Sequence, residues 1–173
     1  MDLGYLADPE RFRLEALEAL MILDTSPEDR FDRIVRFAAS QFDAPIALIS
    51  FVDAHRQWFK AKFGLQVSET PREMSFCAHA IQSQEVFVVE DARNDPRFVD
   101  NALVTGEPYI RFYAGAPISG RSGARVGTLC VIDRLPRAPS KTDLAVLKAL
   151  RTSVNEALAI RSMEVRGVAW GGI

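Results

Sequence analysis

The chain has two cysteines, Cys77 and Cys130, and their thiols are its most reactive candidate groups. Cys77 follows Phe76 at the predicted start of a short helix, where the helix dipole and free backbone amides can lower a thiol pKa or hold an anionic group. Cys130 lies in an apolar run, where a thiol is usually buried and inert. Two thiols that meet across a pocket would form a redox pair, and the alternative is that both belong to the core.

A second set of candidates comes from strand parity and loop position. Arg111 and Tyr113 share one face of a predicted strand, and Gly115 next along that face should leave an open floor. The alternative is an edge arginine and a tyrosine packed under a loop. Trp58 lies on the polar side of its own strand, where its indole can face the pocket rather than the helix layer, and the alternative is that it packs under a loop. Asp91 begins a long loop, where it can accept a hydrogen bond from a ligand or cap the turn.

Composition and charge exclude several classes of function. The formal net charge is -2, the isoelectric point is near 5.7 and no basic stripe is visible, so we expect no nucleic-acid partner. The first residues lack a signal-peptide pattern and no apolar run reaches the length of a membrane span, which predicts a cytoplasmic protein without a membrane partner and with reduced thiols. Neither histidine has a second ligand at suitable spacing, so we expect no metal site.

The hydrophobic pattern predicts the elements that position these residues. Three- and four-residue spacings indicate two N-terminal helices, the second capped by Thr25 or Ser26, and a long C-terminal helix capped by Ser140. Short apolar or alternating runs indicate five strands, with a short helix capped by Ser75. Between residues 90 and 108 lies a loop long enough to act as a lid or binding loop. The predicted strands span residues 46–53, 57–64, 86–89, 111–117 and 127–133.

Five ordered sequence blocks resemble the GAF domain family, a family of small-molecule sensor domains, and in particular its members in bacterial histidine kinases and diguanylate cyclases. Together the blocks are far more specific than any one of them. They are Ile49-Ser50-Phe51-Val52-Asp53, Ser75-Phe76-Cys77, Val89-Glu90-Asp91-Ala92 with Asp95-Pro96-Arg97-Phe98, Arg111-Phe112-Tyr113-Ala114-Gly115-Ala116-Pro117, and Gly127-Thr128-Leu129-Cys130-Val131-Ile132-Asp133.

The resemblance implies an α+β fold related to PAS domains, with an antiparallel β-sheet. The N- and C-terminal helices pack on one face of the sheet, and a ligand pocket lies under loops on the other. The domain would span residues 10–163, between an N-terminal extension (1–9) and a flexible tail (164–173). The resemblance also implies a homodimer through the terminal helices. It does not identify a ligand or cofactor, and the chain lacks the Asn-Lys-Phe-Asp-Glu motif typical of cyclic-nucleotide-binding members.

The sequence therefore predicts a non-enzymatic sensory domain of bacterial signal transduction, including two-component systems, that binds an unknown small molecule and acts on an output domain or kinase partner. Two alternatives remain open. One is a ligand-free dimerisation module, and the other is a thiol-based redox enzyme or sensor that uses both cysteines. The candidate ligand contacts are Trp58, Phe76, Cys77, Asp91, Arg111, Tyr113 and Cys130.

Overall fold

The computed structural model describes residues 8–167, which form five α-helices, two short 3-10 helices (Arg72–Met74 and Ala92–Asn94) and six strands. The helices are α1 (Pro9–Ala19), α2 (Asp29–Phe42), α3 (Phe76–Ala80), α4 (Ala102–Thr105) and α5 (Lys141–Gly167). The strands are β1 (Ile46–Val52), β2 (Arg56–Phe63), β3 (Glu69–Pro71), β4 (Phe87–Val89), β5 (Phe112–Ser119) and β6 (Arg125–Asp133). None of these helices is both long enough and apolar enough to cross a membrane.

One six-stranded sheet, in the order β3-β2-β1-β6-β5-β4, carries the fold, and all neighbouring strands are antiparallel. The predicted α+β class is confirmed. β5 and β6 form the expected hairpin pair, and β1 lies on the other side of β6. The edge strand β3 was missed, because three residues that include Pro71 carry little strand pattern.

Most of the α-helices begin after a residue whose side chain accepts a hydrogen bond from the first turn. Ser75 accepts a hydrogen bond from the amide of Ala78 at 3.1 Å, and Ser140 accepts one from the amide of Asp143 at 3.0 Å, as predicted. The expected cap of α2 at Thr25 or Ser26 is wrong. The α2 N-cap residue is Glu28, because the Thr25 hydroxyl is occupied by the Ile22 carbonyl and the Lys60 ammonium.

Apolar residues on the two faces of the sheet form two separate cores. The larger core packs α1, α2 and α5 against one face, and the smaller core packs α3 and the segment from α4 to Ile110 against the other. β1 contributes to both cores and is buried along its whole length, as its continuous apolar run predicts.

A β-bulge in β2 changes the predicted side-chain parity. The partner of Ile49 is Ala61 and the partner of Ser50 is Phe59, so Lys60 is the extra residue. Phe59 therefore belongs to the smaller core while Ala61 belongs to the larger one, and Lys60 reaches the helix layer, where its ammonium contacts the Glu28 carboxylate at 2.7 Å. Arg161 of α5 contacts the same carboxylate at 2.7 Å, so one acidic group joins β2 to α5.

The C-terminal helix extends further than the sequence pattern indicated. α5 continues to Gly167, four residues into the segment that was expected to form a flexible tail. Residues 1–7 of the expected N-terminal extension and residues 168–173 of the tail lie outside the described residues.

Candidate functional site

A cavity of about 380 Å³ lies on the sheet face opposite the long helices. This volume falls in the range of small-molecule sites, which are mostly apolar with a few polar groups. The sheet contributes the floor, and α3, the loop after β2 and the segment from α4 to Ile110 form the walls. The lining includes Ile46, Leu48, Phe59, Leu65, Val67, Phe76, Cys77, Leu103, Ile110, Tyr113, Cys130 and Ile132.

Specific contacts hold the walls of the cavity in place. The rings of Phe76 and Phe98 are stacked with centroids 4.0 Å apart, which fixes α3 against the long loop. The Asn101 side chain caps α4 and donates a hydrogen bond to the Met74 carbonyl at 3.1 Å, which ties α4 to the turn before α3. The predicted roof of short helix and long loop is therefore present.

At the floor of the cavity, several protonated groups converge on one buried sulfur. Ser50 Oγ and Thr128 Oγ1 donate to Cys77 Sγ at 3.1 and 3.0 Å, and the Tyr113 hydroxyl lies 3.1 Å from the same sulfur. Cys130 lines the same cavity as this sulfur and is the cross-strand partner of Gly115. Ser50 and Thr128 are cross-strand partners on β1 and β6, so the sheet register itself builds this cluster.

The cluster has opposite effects on the two thiols: it lowers the pKa of Cys77 and raises the pKa of Cys130. Burial alone would raise the pKa of Cys77, but the neighbouring Cys130 thiol and hydrogen bonds from Ser50, Thr128 and Tyr113 outweigh burial and lower it below its usual value. The pKa of Cys130 is raised well above its usual value by the neighbouring Cys77 and by burial. Burial and the neighbouring thiols raise the pKa of Tyr113 as well, so the phenol stays protonated and can donate.

Charged groups lie only at the exposed rim of the cavity, where Glu107 and Arg134 join the lining. Within residues 8–167, no group of three or more His, Cys, Asp or Glu side chains is arranged to hold a metal ion.

The structure brings four of the seven predicted site residues into this cavity. Phe76 and Cys77 come from the first turn of α3, Tyr113 from β5 and Cys130 from β6. The two cysteines are distant in sequence and line one cavity, which is the arrangement that the thiol-based redox alternative requires.

Trp58, Asp91 and Arg111 lie away from the cavity, which corrects their predicted placement. Trp58 packs in the helix-side core, on the same face of β2 as Lys60, whose ammonium contacts the partly buried Glu28 carboxylate. Asp91 pairs with Arg93 at 2.8 Å and caps the following turn. Arg111 donates to the Val104 carbonyl at 2.9 Å and thereby fixes the end of α4.

The expected open floor above Gly115 is also wrong. An added Cβ at Gly115 would lie 2.3 Å from the Tyr113 hydroxyl oxygen, so the phenol ring already occupies that space. The missing side chain makes room for Tyr113 to reach Cys77 rather than for a ligand. The cavity lies beside the ring, which is 1% exposed.

Sequence reasoning missed Ser50 and Thr128 as members of the site. Each is a polar residue between buried, apolar or glycine neighbours in its strand, and a buried polar residue in such a run was the available signal. The loop at residues 64–67 was missed as a cavity wall, because its sequence carries no pattern that shows which way it folds.

The matching family model is the GAF domain, over residues 26–158. A cyclic di-GMP phosphodiesterase of Pseudomonas aeruginosa is 49% identical over 142 residues, which cover 82% of this chain and 24% of that protein. The chain therefore spans about a quarter of the length of this relative. Among solved structures, the GAF domain of an Acinetobacter phosphoenolpyruvate-protein phosphotransferase matches with a TM-score of 0.64 at 22% identity, covering 92% of this chain and 95% of that one.

These comparisons correct the expectation of a chain without enzymatic activity. The relative that shares 49% of the aligned residues is a phosphodiesterase. A free methionine-R-sulfoxide reductase from Neisseria meningitidis also shares the fold, with a TM-score of 0.64 at 14% identity over 92% of this chain and 95% of that one. Since the family model covers most of the residues and the sheet and cavity agree with it, the chain belongs to the GAF domain family.

Proposed function

We propose that this chain is a small-molecule-binding regulatory domain of a bacterial signalling protein, of the class that includes cyclic di-GMP phosphodiesterases. The cavity is the observation that carries the proposal. It is large enough for a small organic molecule, and its floor is apolar around a compact polar cluster. The close relationship to part of a phosphodiesterase supports the signalling context.

The lining selects for an uncharged, largely apolar ligand. Aliphatic and aromatic side chains dominate it, and the charged Glu107 and Arg134 are confined to the rim. A ligand with several buried phosphates would lose hydration without meeting a cation on the floor. An apolar body with one or two polar atoms near the Tyr113 and Cys77 cluster fits this surface best.

The path from the cavity to an output domain or kinase partner would run through β2 and α5. Phe59 lines the cavity, and the adjacent Lys60 contacts Glu28, which also holds Arg161 of α5. A ligand can shift α5 only if it binds two arrangements of this network with different affinity. This route would serve a histidine kinase, a diguanylate cyclase or a phosphodiesterase equally well.

Exposed apolar side chains on the terminal helices support homodimerisation as part of the same proposal. Met163 on α5 is 67% exposed and Phe12 on α1 is 56% exposed. On α5 itself, Ile160 is 50% exposed and lies three residues before Met163, so the two side chains are neighbours on one face of the helix, and a contiguous exposed apolar surface is typical of a protein interface. Sedimentation velocity of the wild type and of Met163→Glu tests this part: we expect a dimer that the glutamate weakens, and a wild-type monomer at high concentration would contradict it.

Methyl NMR tests the ligand proposal directly. Small apolar molecules should shift the methyl resonances of Leu48, Leu103 and Ile110, which line the cavity. The methyl groups of Ile49 and Leu147 in the helix-side core serve as internal controls and should move less. Shifts confined to the helix-side core, or no shifts from any member of a chemically broad library, would contradict the proposal.

A further inference from the structure

The geometry points to a further activity of this chain: Cys77 and Cys130 form a thiol pair that reduces an organic hydroperoxide and closes an internal disulfide. The inference uses the same cavity as the proposed ligand site but does not require that a ligand binds there. It rests on the groups around the Cys77 sulfur, on the position of Cys130 and on access through the cavity.

The surroundings of the Cys77 sulfur favour a thiolate. A neutral thiol is a weak hydrogen-bond acceptor, yet three hydroxyl groups and the second thiol lie around this one sulfur. Ser50 and Thr128 also lie 3.1 Å from each other and could satisfy one another without the sulfur. Their convergence on Cys77 is the arrangement that stabilises a negative charge there, since charge-assisted hydrogen bonds are the stronger ones.

Backbone packing holds this arrangement in place. An added Cβ at Gly127 would lie 1.9 Å from the Ser50 carbonyl oxygen, so only glycine lets β6 approach β1 this closely next to Thr128. Gly115 in the same way gives the Tyr113 ring the space from which its hydroxyl reaches the sulfur. Both glycines therefore serve the cluster as well as the sheet.

The second thiol is placed to complete the reaction. Cys130 of β6 lines the same cavity as Cys77 and is the cross-strand partner of Gly115, beside which lies the Tyr113 hydroxyl that contacts the Cys77 sulfur. Its pKa is raised, so it remains protonated while Cys77 ionises. This division gives one nucleophile and one resolving thiol, which is the pairing that redox-active cysteines use.

The steps balance as follows. The Cys77 thiolate attacks the terminal oxygen of the hydroperoxide, the O–O bond breaks, and the alkoxide takes up the proton that Cys77 released, leaving an alcohol and a sulfenic acid. The sulfur of Cys130 then attacks the Cys77 sulfur, the S–O bond breaks, and hydroxide leaves with the Cys130 proton as water. Two thiols are oxidised to one disulfide while one hydroperoxide is reduced, and an external dithiol restores the starting state.

The apolar lining favours an organic hydroperoxide over hydrogen peroxide. Leu48, Phe59 and Ile132 are among the cavity residues around the two thiols, and they can hold the hydrocarbon part of such a substrate. Hydrogen peroxide offers no apolar surface to bind. The preference is itself a measurable consequence of the geometry.

The test compares oxidation of the native and the urea-unfolded wild-type chain by cumene hydroperoxide at pH 7, followed by intact mass and peptide mapping. Because the surrounding hydrogen bonds lower the pKa of Cys77, the folded chain should hold more of this thiol as thiolate at pH 7 than the unfolded chain does, and the lower intrinsic nucleophilicity offsets only part of that gain. We expect the native chain to react several-fold faster and to form an internal Cys77–Cys130 disulfide. An inert buried pair would instead react more slowly when folded, and that result would overturn the inference.

Two variants, each checked by circular dichroism for folding, assign the roles. Cys130→Ser should accumulate a sulfenic acid on Cys77 that dimedone traps, and Cys77→Ser should lose the rate advantage of the native state. Equal rates for Cys77→Ser and wild type would contradict the assignment. A native wild-type chain that reacts faster with hydrogen peroxide than with cumene hydroperoxide would contradict the substrate class. The comparison of native with unfolded wild type needs no variant, so it decides the inference even if a variant misfolds.

Discussion

The Lys60 ammonium lies 2.7 Å from the Glu28 carboxylate, and the lysine side chain is completely buried. The contact joins the bulge of β2 to the turn that leads into α2. Arg161 shares the same carboxylate and donates to the Leu20 carbonyl at 3.0 Å. These ion pairs therefore connect the strand next to the cavity with the C-terminal helix.

Loss of Lys60 should destabilise the protein measurably. Lys60→Met leaves Glu28 with Arg161 as its remaining partner and leaves the Ser26 carbonyl without the ammonium. Removing one partner of a buried ion pair costs about 3 to 5 kcal/mol, and the remaining arginine should reduce this to about 1 to 3 kcal/mol. Urea unfolding measures the change, and the exposed Lys62→Met serves as the matched control. Equal stabilities for the two variants would contradict the structural role of Lys60.

Acid should weaken the contact of α1 with the turn before α3. The Arg13 guanidinium, helped by Arg72 and opposed by burial, lowers the pKa of Glu10 to about 2. A lowered pKa contributes stability above the unfolded value near 4.5, and this contribution is lost as the pH falls from there through about 2. Because the Glu10 side chain is 41% exposed, we expect no more than about 1 kcal/mol.

Urea unfolding at several pH values checks this prediction. Glu10→Gln should be less stable than wild type at pH 7, and the difference should shrink towards pH 2. Glu15→Gln, on the exposed side of the same helix, is the matched control and should cost less stability at pH 7 than Glu10→Gln. A constant difference between Glu10→Gln and wild type at all pH values would disagree with the lowered pKa.

The two faces of β1 should respond differently to added volume. Leu48 faces the cavity, whereas Ile49 faces the close-packed helix-side core. Leu48→Phe should cost less than about 1 kcal/mol, because the ring can enter empty space, and Ile49→Phe should cost about 2 to 3 kcal/mol through overpacking. Chemical denaturation compares them, and a larger cost at Leu48 would argue against an open cavity.

Alanine at Gly115 or at Gly127 should destabilise the protein, but only the clash at Gly115 can be removed by changing a neighbouring side chain. Gly115→Ala meets the Tyr113 ring, whereas Gly127→Ala meets the Ser50 backbone. In a Tyr113→Val background we expect Gly115→Ala to lower the free energy of unfolding much less than it does in the wild type. Gly127→Ala should lower it equally in both backgrounds. A double-mutant cycle on unfolding free energies measures the coupling. Gly120→Ala, whose added Cβ makes only ordinary contacts, is the control.

Local signals in the sequence were sufficient for most elements of the fold. Ser75 and Ser140 marked two helix starts correctly, because the capping hydrogen bonds involve neighbours in the chain. Side-chain direction in β2 was not predictable in the same way. Trp58 and Lys60 share one face of β2, as alternation indicates, but that face packs against the helix layer through contacts with Phe51 and with Glu28, which are distant in sequence, so Trp58 was assigned to the wrong side of the sheet.

In the candidate site, too, contacts between segments distant in sequence were not predictable. Phe76, Cys77, Tyr113 and Cys130 were found because their types and positions are unusual within their own segments. Ser50 and Thr128 join them only through the register of β1 against β6. Arg111 and Asp91 were misplaced because their nearest carbonyl and guanidinium partners lie in the loop itself.

Native mass spectrometry of the freshly purified wild type and of Leu48→Phe tests the central claim, that the cavity holds a small molecule. The account predicts a stoichiometric ligand, retained from purification or taken up from an apolar library, that is released on denaturation. Its occupancy should fall in Leu48→Phe, where the new ring fills the cavity. A wild-type chain that stays empty throughout, or equal occupancy in the two proteins, would contradict it.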